Sequence, residues 1–355
     1  MRPNLARKRA PAALLSTGAS HANFGGGVGG LALAAALDGG RFEVVVAEAD
    51  PGREASGAAL GLWPAARRAL QRIGAKAAFG GLPVRPGTAA LHDLSGRRLV
   101  AMDGPGVSLV RRARLLAALS AAVPGTVRRL TSEVTRPEDL DADLIVGADG
   151  VRSRVRGLVW PRGAERVKTP FVAMRGIVPD PGNLAYGEYW GPGVLFGIVP
   201  LGDGHAYWFS THRSTLGPEP LDREAVRAEL REGAKPVPSA IWRVLDHAWP
   251  DTLANRLWVS PPVPRYVHGR YVVIGDAAHA SLPNLGRGAC DAILDAVSLG
   301  DALNAGVPLA VWQARRLPQT QAARVVAGGL MRLALARRGR VTRDRLLQQV
   351  GRALG

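Results

Sequence analysis

The stretch GGGVGGLALAAAL, residues 25–37, decides the fold of this 355-residue chain. Its Gly25, Gly27 and Gly30 have the G-x-G-x-x-G spacing, and a helix pattern rich in Ala and Leu begins within it. A buried strand, Phe42–Glu48, follows and ends in an acidic residue 23 positions after Gly25. Glycines let the main chain approach a pyrophosphate, a helix N-terminus offers free N–H groups, and an acid accepts hydrogen bonds from ribose hydroxyls. The stretch therefore predicts a Rossmann-like dinucleotide site, and a flexible Gly-rich turn is the weaker interpretation.

The residues before these glycines do not match the expected first strand. Residues 19–24 (ASHANF) are neither strongly apolar nor β-branched. The basic stretch 7–9 precedes an apolar run, Ala10–Leu15, that is shorter than the ~7–15 residues of a secretory signal. We therefore expect residues 1–24 to be a disordered leader and the first strand to be poor.

Two further motifs follow predicted strands. Gly147–Arg156 (GADGVRSRVR) follows the apolar run 144–146, and Gly275–Cys290 (GDAAHASLPNLGRGAC) follows the strand Tyr271–Ile274. Taken alone, Asp149 and Gly150 of the first motif are most simply interpreted as a turn after a strand, and Asp276 of the second as a helix N-cap. In this order and spacing, the three motifs resemble the class A flavoprotein monooxygenases, aromatic hydroxylases whose fold is typified by p-hydroxybenzoate hydroxylase. The urate hydroxylase, salicylate hydroxylase and zeaxanthin epoxidase branches look nearest, and the resemblance spans residues 25–325.

The resemblance implies a set of FAD-binding residues. It assigns the pyrophosphate and adenosine ribose to Gly25, Gly27, Gly30 and Glu48, an FAD contact to Arg112, and a motif shared between FAD and NAD(P)H to Asp149 and Gly150. It assigns the ribityl chain to Asp276, beside Gly275, and the isoalloxazine edge to Pro283, Gly286, Arg287, Gly288 and Ala289. Arg287 departs from the Gln that the family often has. It could strengthen the stabilisation of negative charge on reduced flavin or partly block the substrate.

A second sheet is predicted from residues 170–213, which alternate aromatic and aliphatic residues with Gly and Pro turns. Some of its side chains should line a pocket over the flavin. Pocket candidates are Arg175, Tyr189 and His212 from this sheet and Pro283 from the third motif. No catalytic residue is assigned, and His279 and Cys290 are interpreted as structural.

The predicted fold class is α/β, with a Rossmann-like FAD-binding domain, an inserted mixed β-sheet substrate domain and C-terminal helices. The FAD-binding domain is assigned to residues 25–75, 107–165 and 263–325, and the substrate domain to 76–106 and 166–262. Residues 326–355 are predicted to form a basic C-terminal helix.

The resemblance implies an FAD-dependent monooxygenase without a metal. NAD(P)H, a transient co-substrate, would reduce FAD, and O2 would then give a C4a-hydroperoxyflavin that hydroxylates or epoxidises an aromatic or otherwise planar small molecule. The alternative is a homologue with impaired flavin binding or lost activity. The poor first strand and the short segment Thr126–Pro137, where the family generally has a hairpin, motivate that alternative.

The chain is strongly basic, with a formal net charge of +17, and residues 315–355 hold ten Arg against one acid, Asp344. Such a segment could bind nucleic acid or an anionic surface by counterion release. Because no nucleic-acid motif accompanies it, a solvated cationic face or steering of an anionic cofactor is favoured. The single cysteine and the lack of an apolar run of ~18 residues predict a cytoplasmic protein that is not integral to a membrane, and the oligomeric state stays open.

Overall fold

The computed structural model describes residues 19–51, 59–81, 88–103, 106–180, 186–217, 219–234, 239–247 and 252–354. The strands of these residues are β1 Ala19–Phe24, β2 Phe42–Glu48, β3 Ala59–Leu62, β4 Thr88–Asp93, β5 Arg98–Asp103, β6 Ser108–Arg111, β7 Arg128–Thr131, β8 Leu144–Gly147, β9 Val167–Pro179, β10 Gly187–Trp190, β11 Val194–Pro200, β12 His205–Arg213, β13 Leu253–Val259, β14 Val267–His268 and β15 Tyr271–Val273. The α-helices are α1 Val28–Ala36, α2 Pro64–Arg72, α3 Arg112–Ala122, α4 Arg154–Val159, α5 Arg223–Gly233, α6 Ser239–His247, α7 Asp276–His279, α8 Gly288–Asn304, α9 Leu309–Ala334 and α10 Arg340–Leu354.

The first sheet has six strands in the order β14-β15-β8-β1-β2-β7. Its strands pair in parallel, except that β14 pairs antiparallel with β15. The core around this sheet includes Leu33 of α1, Ile145 of β8 and Ile293 of α8, each at most 1% exposed. Parallel strands covered by helices are buried on both faces, which explains the continuous apolar runs of β2 and β8.

The expectations of a leader through residue 24 and of a poor first strand are wrong, because residues 19–24 form β1. This strand pairs with β2 along its whole length and with β8 from His21 to Phe24. Pairing on both edges satisfies the main-chain N–H and C=O groups, so the central position in the sheet outweighs a low β-propensity. The rest of the predicted leader, residues 1–18, lies outside the described residues.

The second sheet has seven strands in the order β13-β9-β12-β11-β10-β4-β5. It is mixed, because β10 and β4 pair in parallel while the other neighbours pair antiparallel. One face packs on α5 and α6 in a core that includes Phe196 and Trp208. The opposite face contacts α9 through Trp190, Leu195 and Met331. The predicted α/β class with an inserted mixed sheet is confirmed.

The C-terminal region differs from the single helix predicted over 326–355. α9 ends at Ala334 and α10 begins at Arg340, and Gly339 between them has a φ of +71°, a left-handed conformation that ends helical geometry. Arg343 of α10 donates a hydrogen bond to the Ala334 carbonyl oxygen at 2.8 Å, so α10 caps the end of α9. Within the described ranges, no helix combines the length and apolar character needed to cross a membrane.

Candidate active site

A cavity of about 590 Å³ lies between the carboxyl ends of the first sheet and one face of the second sheet. Ligands of open α/β sheets bind at this end of the strands. The predicted site residues that line the cavity are Gly27, Arg112, Gly150, Arg175, Gly275, Asp276, Pro283, Gly286, Arg287, Gly288 and Ala289. Gly25, Gly30, Glu48 and Asp149 are outside its lining. All three sequence motifs therefore contribute residues to one cavity.

The glycine loop after β1 is shaped by close main-chain packing. Gly25 has a φ of +104°, and a Cβ there would lie 2.4 Å from the carbonyl oxygen of Ala148. Gly26 N donates to Glu48 Oε2 at 2.6 Å, which holds the loop against the end of β2. Gly27, just before α1, lines the cavity, and no atom of the described part of the chain beyond its own neighbours lies within 4 Å of where its Cβ would be. The loop is tight on its protein side and open on its cavity side.

Asp149 lies outside the cavity lining and stabilises the turn of the second motif. Its Oδ2 accepts hydrogen bonds from Arg154 N at 2.7 Å and Val155 N at 3.4 Å, at the start of α4. Gly150 follows with a φ of +74° and lines the cavity. Asp149 therefore shapes the turn that brings the Gly150 main chain to the cavity.

Asp276 at the start of α7 faces the cavity together with Arg112. The carboxyl group is accessible from the cavity. The surrounding protein raises its pKa through desolvation, while the positive charges of His279 and Arg112 act to lower it. Gly275 before it has a φ of +57°. The two predicted cofactor contacts from different motifs, Asp276 and Arg112, thus lie within electrostatic reach of each other.

A buried ion cluster behind α7 holds this loop in place, and sequence reasoning missed it. Asp295 is 0% exposed and accepts hydrogen bonds from Gly275 N at 3.0 Å and from Arg316 Nε at 2.8 Å. A 2.6 Å hydrogen bond joins its Oδ2 to His279 Nε2. Asp295 raises the pKa of His279 against the opposing effect of burial, and His279 with Arg316 lowers that of Asp295. The available sequence signal was an acid on an otherwise apolar stretch of α8.

Arg156, the last residue of the second motif, ties the second and third motifs together. It is 0% exposed. Its guanidinium donates to the carbonyl oxygens of Val151 at 2.7 Å, Gly163 at 2.8 Å and Ala277 at 2.8 Å. The planar fork of arginine suits such divergent acceptors. Arg156 is therefore a positioning residue for the loop that carries Asp276.

The segment before α8 forms the far end of the cavity. Pro283 begins a short 3-10 turn, and Gly286 ends it with a φ of +58°. Arg287 Nη2 donates to Asp291 Oδ1 at 3.1 Å, and its guanidinium lies 5.5 Å from the ring centroid of Trp63. Asp291 thus partly balances the positive charge that Arg287 brings to the cavity.

The pocket candidates of the second sheet divide between its two faces. Arg175 lines the cavity, as does Pro283 from the third motif. The placement of Tyr189 and His212 in the pocket is wrong, because both lie on the opposite face. Tyr189 is 3% exposed in the core below the sheet, and His212 Nε2 forms a 3.2 Å hydrogen bond with Glu229 of α5. Side chains alternate between faces, so a residue one position out of phase points away.

The cavity fits flavin adenine dinucleotide. Among the described residues, apart from the chain neighbours of each glycine, no atom lies within 4 Å of the Cβ positions of Gly27, Gly286 or Gly288, which leaves main chain open to a ligand. The N-termini of α1 and α8 lack side-chain caps and line the cavity, so their N–H groups can receive anionic oxygens. The fold and the site therefore define a flavoprotein with an FAD cradle beside a second wall that carries both apolar and polar side chains.

The chain belongs to the FAD-binding domain family, whose model matches residues 101–307. It is similar to an aurachin C monooxygenase/isomerase from Stigmatella aurantiaca, with 29% identity over 343 residues and 88% of each chain covered. It is also similar to an FAD-dependent urate hydroxylase from Klebsiella pneumoniae, with 30% identity over 311 residues, 78% of this chain and 79% of the relative. The predicted class, an FAD-dependent monooxygenase, is confirmed.

Solved structures share the fold. Klebsiella pneumoniae HpxO complexed with FAD and uric acid matches with a TM-score of 0.80 at 22% identity, covering 95% of both chains. A salicylate hydroxylase substrate complex matches with a TM-score of 0.78 at 20% identity, also covering 95% of both chains.

Proposed function

We propose that the enzyme uses NAD(P)H and O2 to hydroxylate or epoxidise a planar small molecule bound between the FAD cradle and the second sheet. The observation that carries this proposal is the continuity of the cavity. Asp276 and Gly288 of the cradle line the same space as Leu195, Val199 and Phe209 of the sheet. A substrate on this face would therefore lie directly against the cofactor.

One group of residues would bind the cofactor, and a second group would surround the substrate. The Gly27 main chain and the N-terminus of α1 would bind the pyrophosphate, and Asp276 the ribityl chain. When bound, FAD supplies the redox chemistry, taking a hydride from the nicotinamide and activating O2. The N-terminus of α8, with Gly288, presents N–H groups and a positive dipole end that stabilise negative charge on the ring system. The apolar side chains of the opposite wall exclude water.

Relatives support a small ring compound as substrate. One is named a urate hydroxylase and another a 3-amino-4-hydroxybenzoate 2-monooxygenase. The chain spans more than three quarters of both relatives, which supports a similar overall organisation.

Anaerobic stopped-flow reduction of the FAD-loaded protein tests the proposal. NADH and NADPH are each mixed with enzyme, with and without a panel of aromatic acids and purines. We expect at least one compound to accelerate flavin reduction. Acceleration by none of them contradicts the proposal, and a protein that stays colourless after incubation with FAD supports the impaired homologue instead.

A further inference from the structure

One row of residues crosses four strands on the cavity side of the second sheet. Arg175 of β9 lies opposite Phe209 of β12. Phe209 lies opposite Gly197 of β11, which in turn lies opposite Glu188 of β10. Directly opposed residues share one face, and strands lie about 4.8 Å apart, so the row separates the two end positions by roughly 14 Å of backbone. Arg175, Phe209 and Glu188 all line the cavity.

The middle of this row is an aromatic surface, the phenyl ring of Phe209. A Cβ at Gly197 would lie 2.2 Å from Cζ and 2.4 Å from Cε1 of Phe209. The far edge of the phenyl ring therefore occupies the space that a side chain at position 197 would need, and the ring lies across β11. Glycine in a strand interior permits this close approach. The Gly197–Phe209 pair makes a floor for the part of the cavity that faces the cofactor loops.

The two ends of the row carry polar side chains that line the cavity. Arg175 Nη2 donates to Asn255 Oδ1 at 3.3 Å, while its Nε is buried without a hydrogen-bond partner among the described residues. At the other end, Trp190 Nε1 donates to Glu188 Oε2 at 2.9 Å. Burial raises the pKa of Glu188 and favours its neutral acid, which can both donate and accept a hydrogen bond.

Building on the proposed function, we propose that the substrate is a flat ring compound that stacks on Phe209, with an oxygen acceptor held by Arg175 and a hydrogen-bonding edge at Glu188. Gly197 determines this specificity, because a side chain there would push the phenyl ring into the space of the substrate. Aromatic rings stack in offset or tilted geometries on such a surface. A compound without an oxygen acceptor would displace water from the cavity side of the Arg175 guanidinium without replacing its hydrogen bonds, so it binds less well.

The test measures binding of four compounds to FAD-loaded protein through the change in flavin absorbance. Salicylate, uric acid and 4-quinolone carry oxygen acceptors, and naphthalene is a flat ring without one. We expect the wild type to bind at least one oxygen compound about tenfold more tightly than naphthalene. Gly197→Ala and Phe209→Leu should each weaken that binding by about tenfold without changing FAD affinity. Arg175→Met should abolish the preference over naphthalene.

Two further variants separate local from general effects. Phe196→Leu removes a ring of the same size from the opposite face of β11, and binding should stay within about twofold of the wild type. Glu188→Gln keeps a donor and an acceptor and should retain binding, whereas Glu188→Leu should lose it. If Gly197→Ala and Phe209→Leu bind the compounds as the wild type does, the aromatic floor is refuted. If the wild type binds naphthalene as tightly as it binds the oxygen compounds, the role of Arg175 is refuted.

Failure of this inference is distinguishable from failure of the proposed function. If the wild type binds FAD but none of the four compounds, the inferred substrate class is wrong while the flavoenzyme proposal still stands on the reduction assay. If the wild type cannot be loaded with FAD, the proposed function fails and this inference fails with it.

Discussion

At the scale of single residues, two glycines of the same loop are glycine for different physical reasons. Gly25 has a left-handed φ of +104°, and its missing side chain makes room for the carbonyl of Ala148. Gly27 has an ordinary φ of −79° and open space around its Cβ position. The folded chain therefore requires glycine at position 25, whereas at position 27 we propose that the bound pyrophosphate imposes the requirement.

We predict that Gly27→Ala weakens FAD binding by at least about tenfold while changing the free energy of unfolding of the apoprotein by no more than about 0.5 kcal/mol. The added methyl group would meet no atom of the described residues outside its own loop, but it would enter the space that we assign to the pyrophosphate. Titration of FAD by fluorescence and thermal unfolding of the apoprotein measure the two effects. Gly125→Ala, at another open position, is the matched control and should leave FAD affinity unchanged. Equal FAD affinity in Gly27→Ala and the wild type contradicts the assignment.

Glu188 should make the free energy of unfolding depend on pH. Because burial raises its pKa in the native state, Glu188 holds its proton at pH values where the unfolded chain has lost it. Stability therefore falls as pH rises from the ordinary value of 4.5 through the native pKa. We predict that Glu188→Gln gains stability relative to the wild type across this window, measured by urea unfolding at a series of pH values. A stability difference that is constant with pH contradicts this prediction.

Sequence patterns located the motifs whose residues line the cavity, but they misplaced residues whose position depends on packing. The cofactor motifs each contain a strand, a turn and a helix start, so the motifs are visible in the sequence, and the family resemblance supplied the role predicted for each residue. Tyr189 and His212 were misplaced because a strand pattern shows two alternating faces without showing which one meets the other domain. Phe209 lies on the cavity face and its neighbour Trp208 lies in the core.

At the scale of elements, α8 links the cofactor loop to the rest of the core through Asp295. We predict that Asp295→Asn lowers the free energy of unfolding by about 3–5 kcal/mol, because His279 and Arg316 lose their buried counter-charge. FAD affinity should fall as well, since Gly275 N loses a charged acceptor. Urea unfolding and FAD titration measure the two effects. Asp301→Asn on the same helix is the control.

Asp301 pairs with Arg72 at the surface, where such pairs contribute about 0–1 kcal/mol, so the stability of the control should be nearly unchanged.

The stability that the Asp295 cluster provides should depend on pH in two opposite directions. Because the pKa of Asp295 is lowered in the folded protein, its contribution to the free energy of unfolding is lost as pH falls through that folded-state pKa. Because the pKa of His279 is raised in the folded protein, its contribution to the free energy of unfolding is lost as pH rises through that folded-state pKa. Similar losses in both variants would contradict a special role for Asp295.

Element types followed from sequence patterns more reliably than element boundaries did. The apolar runs of β2 and β8 and the Ala-rich α1 are explicit in the sequence. The first strand could not be recognised, because its stability comes from pairing with β2 and β8, which are distant in sequence. The break between α9 and α10 was missed although Gly339 marks it, because arginines continue on both sides.

At the scale of the whole molecule, the net charge of +17 should assist the nicotinamide rather than hold nucleic acid. Arg316 and Arg343, two of the ten arginines in 315–355, are buried and serve internal contacts. We predict that the second-order rate constant for flavin reduction by NADPH falls several-fold between about 20 mM and about 200 mM salt, because screening weakens long-range attraction. Binding of uncharged naphthalene is the control and should not change. A reduction rate that is independent of salt contradicts steering.

The order of strands in the first sheet has a consequence for biogenesis. Of the described strands of this sheet, β1 comes earliest in the chain, yet it lies between β2 and β8, and β15 with the Asp276 loop follows only after residue 270. A chain that ends before β15 lacks one side of the cradle, and domains fold as units during synthesis. We therefore expect a chain truncated before the third motif to retain no FAD, because Asp276 and the start of α8 are missing from it.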